Sequence, residues 1–124
     1  MALTKSSSAL VSTSSTSCGA GSTVTGTGTL IGYGISGVAT ITNGGTGPTV
    51  PCGLYIDFSL DNSSWTTGPL VGLGDTVNSS VTRIPFSLAI GGGGDWYYYR
   101  TRYTGNTGQA VTVADAASST TALT

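Results

Sequence analysis

Trp96-Tyr97-Tyr98-Tyr99-Arg100-Thr101-Arg102-Tyr103 is an aromatic run of the kind found in β-strands. It follows a glycine run at 91–94 and precedes Thr104-Gly105-Asn106-Thr107-Gly108, after which Val111, Thr112 and Val113 resume an extended pattern. Aromatic and β-branched residues suit a pleated, half-buried surface, and Gly and Asn suit the positive-φ positions of tight turns. Residues 91–114 therefore read as the closing hairpin of a β-domain. Alternation puts Tyr97, Tyr99, Thr101 and Tyr103 on one face and Trp96, Tyr98, Arg100 and Arg102 on the other. Arginine is almost never fully buried unpaired, so the Arg face points outward. The tyrosines then point inward, with their hydroxyls at the rim.

The same period of two recurs upstream. Leu54, Ile56, Phe58 and Leu60 alternate with Tyr55, Asp57, Ser59 and Asp61, which predicts a strand with one buried and one wet face. Ile35, Ala39 and Ile41 share a face, as do Ile84, Phe86, Leu88 and Ile90, where Pro85 marks an edge strand or a bulge. Asp61-Asn62-Ser63-Ser64 is a turn, and Trp65 after it is placed to pack over an edge. About seven strands, with turn signals every 8–12 residues and no helical period, predict an all-β, immunoglobulin-like antiparallel β-sandwich. A jelly roll is the competing arrangement. Residues 1–22 are Ser/Thr-rich and nearly aperiodic, which predicts an extended N-terminal arm unable to order itself by apolar burial. The sandwich then covers 23–114, and 115–124 form a second tail. Leu3, Leu10 and Val11 are the apolar points by which the arm would dock on a neighbour.

Charged residues are 7% of this 124-residue chain, against about 25% in ordinary soluble domains. Net charge is −1, with four bases and five acids, so the sequence carries no electrostatic footprint for nucleic acid or an anionic membrane. A surface this weakly charged is poorly protected against self-association, which suits a protein held in an assembly. There is no apolar run of membrane-spanning length. The first residues lack the continuous apolar core of a signal peptide, so synthesis in a cytoplasm is expected.

The chain has no His, which removes Ser-His-Asp and Cys-His chemistry. The aspartates lie at turns or on wet faces, where they bond local backbone more often than they react, so no catalytic residue, metal or cofactor is assigned. Asp61, Asn62 and Asp75 lack the spacing of a calcium loop. Cys18 and Cys52 are too few for a disulfide framework. They meet if the arm runs beside the strand that Cys52 opens, and their pairing stays open. Trp96, Tyr98, Arg100 and Arg102 form the candidate binding face, since aromatic residues and Arg dominate interface hot spots. Stacking of flat aromatics on sugars is the alternative use.

Ile41 to Cys52, the strand ending Leu60-Asp61-Asn62-Ser63-Ser64-Trp65, and the closing Tyr97-Tyr98-Tyr99-Arg100-Thr101-Arg102 with Thr104 to Val113 resemble small immunoglobulin-like virion proteins of tailed bacteriophages. The resemblance covers roughly residues 35–114. It implies a non-enzymatic structural protein of the virion, of the capsid decoration or cement type. Its implied partners are the major capsid protein, other virion proteins or copies of itself. A tail component and a carbohydrate-binding or adhesin module are the alternatives. Antibody-type domains carry an inter-sheet disulfide, and here no Cys lies in the aromatic strand.

Overall fold

A computed structural model describes residues 5–30, 34–89 and 98–123. All regular structure among them is β: β1 (Lys5–Leu10), β2 (Thr16–Cys18), β3 (Thr23–Thr25), β4 (Thr29–Leu30), β5 (Gly34–Asn43), β6 (Gly53–Ser59), β7 (Trp65–Thr66), β8 (Leu70–Leu73), β9 (Val81–Ala89), β10 (Tyr98–Thr104) and β11 (Val111–Leu123). The first sheet runs β1-β11-β5-β9, with β2 also on β11. The second runs β3-β10-β6-β7, with β4 also on β10 and β8 on β6. Every pairing is antiparallel.

The short pieces combine pairwise. β1 and β2 pair successive stretches along one edge of β11, β3 and β4 do the same on β10, and β7 and β8 on β6. Eight limbs result, and limb one pairs with eight, two with seven, three with six and four with five. The chain is thus one long hairpin rolled on itself, closed laterally by β11 on β5 and β10 on β6. This is the eight-limb order of a jelly roll. The two-sheet, all-β sandwich read from the alternation is present. The immunoglobulin order is not, because that fold keeps its first two strands in one sheet while here the first four limbs alternate between sheets until the tip at residues 60–64.

The inner faces follow the period of two. Ile35, Ala39 and Ile41 of β5, Leu54 and Ile56 of β6, Ile84 and Phe86 of β9, Tyr99 and Tyr103 of β10, and Val111, Val113 and Ala117 of β11 are buried together with Cys18 and Cys52. At Gly37 a Cβ would stand 2.6 Å from Phe86 Cζ and 2.8 Å from Ala117 Cβ, so the glycine makes room for the ring. Pro85 lies in β9, an edge of the first sheet, as its lost N–H requires. Leu60, expected inside, is exposed because the strand ends at Ser59 and the turn has begun.

Three expectations are corrected. β10 and β11 do not form a hairpin; they lie in opposite sheets. Asn106 pins the connection between them: fully buried, it donates from its amide to the carbonyls of Cys18 (3.1 Å) and Gln109 (3.0 Å). The presumed tail from residue 115 is instead the continuation of β11, paired with β5 through Thr120 and with β1 through Leu123. The presumed arm supplies β1 and β2 to the first sheet. Low apolar content does not prevent this, because ladder hydrogen bonds satisfy the backbone whatever the side chains are. Leu3 and Trp96 lie outside the described residues, as do the Leu10 side chain, Ile90, Tyr97 and the glycine run.

Candidate interaction face

The outer face of the second sheet is set by the register of β10 on β6, in which Tyr98 opposes Ser59, Arg100 opposes Asp57, and Arg102 opposes Tyr55. On the far side of β6, Trp65 opposes Ser59, Leu70 opposes Tyr55 and Leu73 opposes Gly53. Directly opposed side chains on one face are close enough to interact. The result is a row in the order Trp65, Arg100, Asp57, Arg102, Tyr55. The Arg100 guanidinium carbon lies 4.4 Å from the Trp65 ring centroid, and that of Arg102 lies 4.4 Å from the Tyr55 centroid. Arg100 Nε donates to Asp57 Oδ2 at 3.2 Å. Arg102 Nε donates to the same oxygen at 3.1 Å, and its Nη2 to Oδ1 at 3.3 Å.

Asp57 is 1% exposed although it belongs to the outer face, because both guanidiniums and the 67–69 segment cover it. The Gly68 N–H donates to Oδ1 at 3.0 Å. A Cβ at Gly68 would run into the Ile56 carbonyl, so only glycine brings this backbone so near β6. Burial pushes the Asp57 carboxyl upward. The Gly68 N–H and the Arg102 and Arg100 guanidiniums more than reverse this, and it ionises below the usual carboxylate range. Removing one partner of such a buried pair strands a charge and typically costs about 3–5 kcal/mol.

Tyr98, Arg100 and Arg102 therefore share the outward face assigned to them, while Val11 is exposed beyond β1 on the other sheet. Trp65, a candidate for the aromatic face in the sugar-binding alternative, joins the row, and Tyr55 and Asp57, not foreseen as members, complete it. Their signal was present: a strand whose wet face reads Tyr55, Asp57 complements one reading Arg100, Arg102, once the two are known to pair. The inward tyrosines differ from expectation at their tips. Tyr103 Oη donates to the Ala114 carbonyl at 3.0 Å, and Tyr99 Oη is buried with no hydrogen-bond partner among the described residues.

Between the sheets lies a polar knot. Asp115 faces inward from β11 at the gap between β1 and β2. Its Oδ1 accepts from Ser12 N (2.9 Å), and its Oδ2 accepts from Thr13 N (2.8 Å) and Thr101 Oγ1 (2.6 Å). Ser12 Oγ accepts from Thr101 N at 3.0 Å and donates to the Thr27 carbonyl at 2.8 Å. This bonding ties the two sheets together. Asp61 acts within its own turn, accepting from Ser63 N and Ser64 N, while Asp75 accepts from Val77 N and Ser80 Oγ nearby and from Asn43 Nδ2 at the end of β5. Among the described residues no three His, Cys, Asp or Glu converge as a metal site. Cys18 and Cys52 are side by side in the core as free thiols. An apolar cleft of about 220 Å³ opens between the β8 and β9 edges, lined by Ile56, Phe58, Pro69, Val71, Phe86 and Ser87.

No protein-family model matches the sequence, and no curated protein matches it. Among solved structures the chain is similar to a chain of infectious bursal disease virus, Gx strain, with TM-score 0.61 and 10% identity over 92% of this chain and 32% of that one. It is also similar to the VP2 protein of infectious bursal disease virus in derived T=1 particles, with TM-score 0.58 and 12% identity over 94% of this chain and 32% of that one. A family 16 carbohydrate-binding module aligns more loosely, at TM-score 0.45 and 11% identity over 89% of this chain and 75% of that one, and bears no weight. The chain spans about a third of the viral chains it matches. At these identities the likeness is one of fold alone.

Proposed function

We propose that the chain is a non-enzymatic structural component of a virus particle, a jelly-roll module of the capsid decoration or cement type that attaches to the head of a tailed bacteriophage. The observation that carries the reading is the likeness of fold to chains of a virus particle, which extends over more than nine-tenths of this chain. Composition supports it, because a surface with so few charges suits permanent residence in an assembly. The tailed-phage particle type is the finer part of the proposal and rests on the turn and strand motifs of residues 35–114, since the immunoglobulin order of the proteins they resemble is absent here. Many weak copies on a lattice gain avidity from one another.

The mode of attachment differs from docking by a free arm. Residues 5–10 already pair with β11 of the same chain, so the arm's backbone is engaged at home and attachment falls to the outer faces and edges. Use of the aromatic row for sugar stacking is disfavoured, since Trp65 and Tyr55 each carry a guanidinium on a ring face. The test is cosedimentation of purified protein with phage heads lacking it. Saturable binding at a fixed number of copies per head is expected. Binding to tails alone, or to neither, contradicts the proposal.

A further inference from the structure

We propose that the outer face of the second sheet is a docking surface for a protein segment presenting one carboxylate side chain, Asp or Glu, between apolar residues. The identity of the partner as a protein rests on the reading that this chain works by attachment.

Charge comes first. Arg100 and Arg102 converge on one carboxylate, Asp57, which among the described residues leaves one positive charge without a counter-charge in a group whose arginine side chains are only 25% and 18% exposed. Poorly hydrated like charges on one strand repel, and a second carboxylate relieves that repulsion. Donors come second. A guanidinium has five N–H groups. Arg100 commits its Nε to Asp57, and Arg102 commits Nε and Nη2. Among the described residues, both terminal nitrogens of Arg100 and Nη1 of Arg102 take no protein acceptor. Rigidity comes third. Each guanidinium is clamped between Asp57 and an aromatic ring, so the free donors are held in place before any partner arrives. Two stacked, half-hydrated guanidiniums are a receptor for a planar carboxylate.

The surroundings choose a protein partner. Leu70 and Leu73 are 46% and 51% exposed. Over Gly53 their methyl groups converge with the Tyr55 ring, at 3.0, 3.4 and 3.2 Å from where a Cβ would be. An apolar patch therefore borders Arg102. Arginine and aromatics at the centre with aliphatics that exclude water around them is the anatomy of a protein–protein hot spot.

The experiment is an NMR titration of the isotopically labelled full chain, following the Arg Nε–H signals. The probes are acetyl-Leu-Glu-Leu-amide, its Gln counterpart, and glucuronate. The Glu peptide is expected to shift Arg100 and Arg102 saturably and to bind about tenfold tighter than the Gln peptide, as loss of a hydrogen bond to a charged group implies. Arg100→Gln leaves Asp57 paired with Arg102, and it is expected to weaken the Glu peptide about tenfold. Leu73→Ser, remote from Asp57, weakens both peptides alike. Absence of any shift, equal binding of the Glu and Gln peptides, or binding of glucuronate without the peptide overturns the proposal. These outcomes are independent of whether the protein attaches to heads.

Discussion

Replacing Asp115 with Ala removes the acceptor for two backbone N–H groups and one hydroxyl at a point 5% exposed. Each buried donor left unsatisfied costs about 1–3 kcal/mol. The two N–H groups of Ser12 and Thr13 cannot turn away, because the carbonyls of the same two residues are held by Thr27 N and Asp115 N, whereas the Thr101 hydroxyl can rotate toward Thr13 Oγ1, 2.7 Å distant. The expected destabilisation is therefore about 3–5 kcal/mol, much of the roughly 5–15 kcal/mol that holds a domain together. Asp115→Asn keeps one acceptor oxygen and turns an amide toward the remaining N–H, so about 2 kcal/mol is expected. Urea unfolding followed by tryptophan fluorescence reads both values, with Thr101→Val as a variant that removes a hydroxyl but no backbone partner. An Ala variant within about 0.5 kcal/mol of the parent, the scatter of ordinary surface changes, refutes the role given to this knot.

The two buried tyrosines make opposite predictions. Tyr99→Phe discards a hydroxyl without a partner and is expected to be neutral or stabilising, while Tyr103→Phe loses its bond to the Ala114 carbonyl and costs about 1 kcal/mol in the same unfolding assay. The depressed ionisation of Asp57 stabilises the fold above the unfolded carboxylate pKa, near 3.9. That stability is lost as pH falls through the folded value, so Asp57→Asn flattens the acid limb of a Tm-against-pH curve. Burial lifts the Cys52 thiol to about 12 and also raises Cys18. Both are expected to react with a disulfide reagent far more slowly in native protein than in urea, as read by absorbance of the released thiol.

Local periodicity made the sandwich legible and left its wiring hidden. Leu54, Ile56 and Phe58, or Tyr99, Thr101 and Tyr103, declare which way a strand faces without naming its neighbours. Thr104-Gly105-Asn106-Thr107-Gly108 carries the residues of a tight hairpin, yet the buried Asn106 amide reaches the Cys18 carbonyl and carries the chain to the other sheet. That partner lies far away in sequence, so no local rule finds it. The Ser/Thr-rich ends were misread for a related reason. Their strands are stabilised by backbone pairing with each other and with β5, and composition records only side chains. Arg100 and Arg102 were visible as an outward pair, but their complement was not, because Asp57 joins them through the register of β10 on β6.

If this jelly roll is a fixed part of a virus particle, as proposed, quantitative mass spectrometry of purified heads and tails, separated after gentle disruption, finds the polypeptide in the head fraction at a constant ratio to the major capsid protein across preparations. Its absence from intact particles, with the protein found only in the unassembled pool, contradicts that proposal.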